Sequence, residues 1–202
     1  MREENLIAKS VKAFKRTTNS NHEYPVAENI LERDFTADAP NQRWVTDITY
    51  IQTVEGWLYL AVVMDLFSRA IVGWAMDKQM TVDLVSNALL MGLSHREIGD
   101  SMMAHSDRGV QYAANQYQSL LNDHDIVCSM SRKGNCYDNA AMESFFHSLK
   151  TEWTEYCHYE SRSQAKLSIF EYIEMFYNTK RRHSYTNQMA PLQFEELHAK
   201  AA

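Results

Sequence analysis

Three carboxylates stand where an acid calls for a reason. Asp47 interrupts an apolar stretch in "WVTDITY", Asp107 closes "AHS" ahead of "RGVQY", and Glu143 sits among Ala, Met and Phe in "NAAMESFFHSLK". Thirty-five residues lie between Asp107 and Glu143. An acid inside a strand is disfavoured unless it has a task. If the three met, their oxygens would suit hard divalent cations such as Mg²⁺ or Mn²⁺. Each acid also has a structural reading of equal weight. Asp47 could face solvent on a one-sided sheet, Asp107 could open a tight turn at Gly109, and Glu143 could answer the positive end of a helix dipole. No Ser-His or Cys-His motif competes as a nucleophilic centre. The choice depends on whether the fold makes the acids converge.

The elements that would have to position them can be read from periodicity. Val, Ile, Trp and Tyr dominate 43–53, 57–66 and 70–77, with short polar connections between them, which predicts an antiparallel meander of three strands. The period then lengthens. Thr81 is a suitable N-cap, and Val82, Val85, Ala88 and Leu89 recur at helical spacing. A short strand at "MMAHS", a helix over 113–124 and a fifth strand at 126–130 follow. Asp138 or Asn139 is placed to cap a helix carrying Glu143, and a last helical region spans 161–178. This order predicts an α/β domain with a mixed sheet over 41–200, ending in a helical tail. Residues 1–40 read as an arm or linker.

Composition bounds the class. The 202 residues include 45% hydrophobic ones and only 6 Gly and 3 Pro, enough for a sizeable core without low complexity. Cys128, Cys136 and Cys157 show no C-x-x-C spacing, which argues against a zinc site or disulfide scaffold and fits a reducing cytosol. The apolar run 57–64 is far too short to span a bilayer, and "MREENLIAKS" is charged, unlike a signal peptide. The expected location is therefore the cytoplasm, with no membrane partner and no small-molecule cofactor. A net charge of −6 does not favour nucleic acid on average, but Lys9, Lys12, Lys15 and Arg16, and "KRRH" at 180–183, are local basic clusters.

Five long segments carry a resemblance: "PNQRWVTDITYI", "GWLYLAVVMDLFSRAIVGWAM", "HSDRGVQY", "GNCYDNAAMESFFHSLKTEW" and "YNTKRRHS…PLQFE". In that order they resemble bacterial insertion-sequence transposases, the second-frame products of insertion-sequence family three. The core of that family is similar to retroviral integrases. The resemblance implies an RNase H-like fold, a five-stranded mixed sheet flanked by helices, with an Asp-Asp-Glu site. By position the three catalytic and metal-binding residues would be Asp47, Asp107 and Glu143, which would hold two Mg²⁺ or Mn²⁺ ions. It also implies double-stranded DNA as partner, at element ends and target. A homodimer or larger assembly on DNA, in a bacterial, nucleoid-associated setting, goes with it.

Supporting residues follow from position. Glu143, His147 and Lys150 share one helix face, while Phe145, Phe146, Leu149 and Trp153 share another and should pack on the sheet. The resemblance makes Lys150 a phosphate contact, and His147 stays open between polar edge residue and phosphate ligand or proton carrier. It also points to Gln111 and Tyr112 as lining a DNA channel, and to Arg132, Lys133 and Asn135 in a loop closing on DNA. Arg181, Arg182 and His183 would hold flanking DNA or pair with a Glu in the tail. His105 could tune the site or be a buried structural histidine. Trp44, Trp57 and Trp74 read as core. Longer family members carry a helical DNA-binding region ahead of the core, and residues 1–10 look internal to such a chain. A truncated copy, a late translation start or a fragment of a frame-shifted product is therefore expected, either active or serving as a catalytically idle DNA-binding remnant that regulates full-length transposase.

Overall fold

The computed structural model describes residues 22–132 and 136–199. Its centre is a five-stranded sheet in the order β3-β2-β1-β4-β5. Strands β1 (Arg43–Thr53), β2 (Gly56–Asp65) and β3 (Ile71–Asp77) form the antiparallel meander. Gly56, at φ 104°, turns β1 into β2 in a conformation side-chain-bearing residues resist. β4 (Met103–Ser106) then pairs parallel with β1, and β5 (Val127–Met130) parallel with β4. Parallel pairing demands crossovers, and the helices between strands supply them.

Alternation along the strands divides the core in two. Trp44, Ala61, Val63 and Val72 face helices α1 (Val82–His95), α2 (Val110–Ala113) and α3 (Asn115–Asp123). The Thr81 hydroxyl caps α1 by accepting from the Leu84 amide. α1 lies so close on β3 that a Cβ at Gly73 would collide with the Ala88 carbonyl. Val45, Ile51, Leu58, Leu60 and Val62 face the opposite layer. That layer holds α4 (Ala140–Glu152), α5 (Arg162–Phe170) and a π-helical continuation, Glu171–Tyr177. A final helix, α6 (Pro191–Ala199), packs Phe194 against Phe67.

Three expectations change in detail. The helix read over 113–124 is α3, Asn115–Asp123, and a separate short helix, Val110–Ala113, precedes it. The region 161–178 is α-helical only to Phe170 and then widens. Residues 22–40 do not stand off as a linker. Leu31 is buried in the α4-side core, with Phe35 and Ala37 packed against it.

Candidate active site

The parallel register of β1 and β4 matches Val45 with His105. Asp47 and Asp107 each follow by two residues, so they reach the same level and the same face at the C-terminal end of the pair. That face is the one α4 covers, because Val45 packs with Phe145, Phe146 and Leu149. Apolar burial of those residues leaves Glu143, His147 and Lys150 outside the packed stripe of the helix. Glu143 and Lys150 are half-buried and His147 is exposed. A direct tether completes the placement: the Asn139 side-chain amide donates to the carbonyl of Thr46, next to Asp47, at 3.3 Å.

Electrostatics tie the carboxylates together. Burial first, and then repulsion from Asp107, raise the Asp47 carboxyl well above its ordinary range; Glu143 adds to the rise, while the Ile48 amide and Lys150 oppose it. Glu143 is itself raised by burial. Asp107 Oδ1 accepts from the Gly109 amide at 2.8 Å, shaping the turn into α2. Burial lowers the Lys150 ammonium, which Asp47 partly offsets, and its Nζ lies 5.0 Å from the centre of the Tyr50 ring. Among the described residues no group of three or more His, Cys, Asp or Glu side chains able to hold a metal ion is preassembled. Asp47 is thus the group on which the charges converge: Asp107 and Glu143 both raise it, and Lys150 opposes them.

Other predicted residues divide sharply. Tyr112 and Gln111 leave the DNA-facing set. The Tyr112 ring is fully buried with its hydroxyl 3.2 Å from Thr46 Oγ1, and Gln111 is buried with its amide on the Met80 carbonyl. His105 is also buried and bonds Ser129 and Ser131 rather than a carboxylate; burial lowers it to about 4. Arg181 is engaged by Glu152 at the end of α4 and by Ser148, so only Lys180 and Arg182 of that cluster are exposed. Trp44 is core, whereas Trp57 is 45% exposed, edge-on to Tyr50. Lys133 and Asn135 lie outside the described residues.

Sequence reasoning missed what precedes α4. Neither Asp138 nor Asn139 caps the helix with its side chain. Asp138 is instead buried and collects Arg132, through its backbone amide and guanidinium, together with Arg33 and Asn29. Hydrogen bonds from Arg132 and then Arg33 hold its carboxyl well below the usual range. The only signal in the sequence was an acid at a helix start, which capping explains equally well.

Comparison with known proteins decides the family. The integrase core domain family matches residues 37–136, and a second integrase core domain family matches 143–198. Over 195 residues the chain is 49% identical to the transposase InsF for insertion sequence IS3A of Escherichia coli (strain K12), covering 96% of this chain and 68% of that protein. The chain belongs to the IS3-family transposases. A further relative of this transposase core is an insertion element IS600 protein of 31 kDa from Shigella sonnei, 46% identical over 98% of this chain and 72% of its own length. The integrase catalytic core of HTLV-2, solved with magnesium, superposes with a TM-score of 0.61 at 16% identity, over 79% of this chain and 99% of its own. A simian T-cell lymphotropic virus intasome chain gives 0.67 at 19%, over 88% of this chain and 60% of that one. At such low identity the likeness concerns the fold, which is RNase H-like.

Proposed function

We propose that this IS3-family core cleaves DNA phosphodiesters at element ends and joins them to target DNA, using Asp47, Asp107 and Glu143. The observation that carries the reading is that Asp107, one residue past the end of β4, and Glu143 both act on the carboxyl of Asp47 in the neighbouring parallel strand β1. The three acids fit Mg²⁺ or Mn²⁺: their oxygens are hard ligands, and a cation would relieve the burial and repulsion that now oppose ionisation of Asp47. Bound there, two ions would supply an activated water or 3′-hydroxyl and stabilise the leaving oxygen of an in-line displacement. The chain's own residues do the rest. Asp47 and Asp107 present oxygens from a rigid strand pair. The phenylalanines of α4 hold Glu143 over them. Lys150, on the same helix face, reaches a backbone phosphate of the bound strand. Holding two DNA ends at once calls for a dimer or larger assembly.

The test is incubation of the protein with precleaved element-end duplex, target DNA and Mg²⁺ or Mn²⁺. Joined products that disappear in Asp107→Asn support the reading. Binding of DNA without metal-dependent chemistry under any condition would leave a regulatory remnant in its place.

A further inference from the structure

Ahead of β1 the chain lies as a strap along the edge strand β5. The Met130 amide donates to the Glu28 carbonyl, and the amides of Ile30 and Leu31 both donate to Ser129 Oγ, at 2.9 and 3.2 Å. Ser129 Oγ, its lone pairs so occupied, donates its own hydrogen to His105 Nδ1 at 2.8 Å, beside the Asp107 turn. The strap then reaches Asp138 at two points, Asn29 Nδ2 at 3.1 Å and Arg33 Nε at 2.8 Å. Glu32 and Arg33 both adopt left-handed backbone, at φ 46° and 66°. Two successive side-chain-bearing residues in that region persist only where the surroundings over-determine them. The carboxyl they serve is fully buried, five residues before Glu143 and adjacent to Asn139, whose amide holds the Thr46 carbonyl beside Asp47. Asp138 and Asn139 therefore pin the start of α4 on two sides, to the strap and to the catalytic strand.

We propose that Asp138, Arg33 and Asn29 are positioning residues: the strap 28–35, closed on Asp138, sets the start of α4 and so where Glu143 stands relative to Asp47. This rests on the proposed metal-binding role of those acids. An exposed ion pair would contribute little and touch nothing else. Here one buried carboxylate gathers three separate segments, residues 29–33, Arg132 after β5, and the turn into α4.

The experiment is Mn²⁺ titration of the DNA-free protein by calorimetry, alongside melting temperature and end-DNA affinity. Arg33→Met should weaken Mn²⁺ binding about tenfold, the size usual for residues that orient metal ligands. It should raise the Mg²⁺ needed for half-maximal joining by a similar factor, with end-DNA affinity unchanged. Arg33→Lys, keeping the charge, should recover most of the loss. Should Arg33→Met fail to fold, Asn29→Ala leaves both guanidinium pairs in place and carries the same test with a smaller shift. A folded variant with wild-type Mn²⁺ affinity overturns the positioning role alone. A wild-type protein that takes up no Mn²⁺ overturns the metal reading itself.

Discussion

At Asp47, burial and the neighbouring Asp107 both oppose ionisation, so the folded carboxyl binds its proton more tightly than the unfolded one. The sign follows from linkage. In the window above the ordinary carboxylate value the folded state holds more protons, so the metal-free protein loses stability as pH rises through it. Asp47→Asn removes that penalty and should raise the melting temperature of the metal-free protein at neutral pH. Mg²⁺ should in turn stabilise the wild type and not the variant, which differential scanning fluorimetry with and without chelator would show. Glu143 is half-buried on the open face of α4, and its side chain supports no core. Glu143→Gln should therefore abolish strand transfer while leaving circular dichroism and melting temperature near wild type. Strand transfer surviving in that variant would remove Glu143 from the site.

Helix α4 has two faces with separate duties. Phe145, at 2% exposure, packs edge-on to Tyr177 with ring centres 4.7 Å apart, and Met142, Phe146 and Leu149 complete its buried stripe. Phe145→Ala would open a cavity against β1 and the π-helical segment, costing about 3–5 kcal/mol. Chemical denaturation should show that loss, with joining activity falling through misplacement of Glu143. The contrast with Glu143→Gln separates the two faces experimentally: one variant keeps the fold and loses chemistry, the other loses the fold first. Glu152 and Ser148, holding Arg181, anchor the far end of the same helix. The near end is held by Asp138 and Asn139, so α4 is fixed at both termini.

Across the whole molecule, a net charge of −6 means that the proposed DNA partner would be met by local cations rather than by a general field. Lys150→Ala should weaken binding uniformly across DNA sequences and reduce the slope of log K against log salt by about 1, measurable by fluorescence anisotropy across a salt series. Strand periods, the Thr81 cap and the apolar stripe of α4 were legible in the residues alone, because each depends on contacts within a few positions of the chain. So were the three acids and the long motifs, down to their spacing. The strap was not: Arg33 and Asp138 are 105 residues apart, and nothing local in "ERDF" or "CYDN" announces the pair. Nor could the residues show that Tyr112 is buried under Thr46 while Trp57 is exposed, since both lie in stretches rich in apolar and aromatic side chains. By itself the sequence determined the elements, the family and which acids to compare. The resemblance already implied that β1 and β4 are neighbours, and the structure gives their parallel register; tertiary structure alone decided that residues 28–35 close on the turn before Glu143. The reason is that burial and long-range hydrogen bonds depend on which elements become neighbours, and that is a property of the folded sheet.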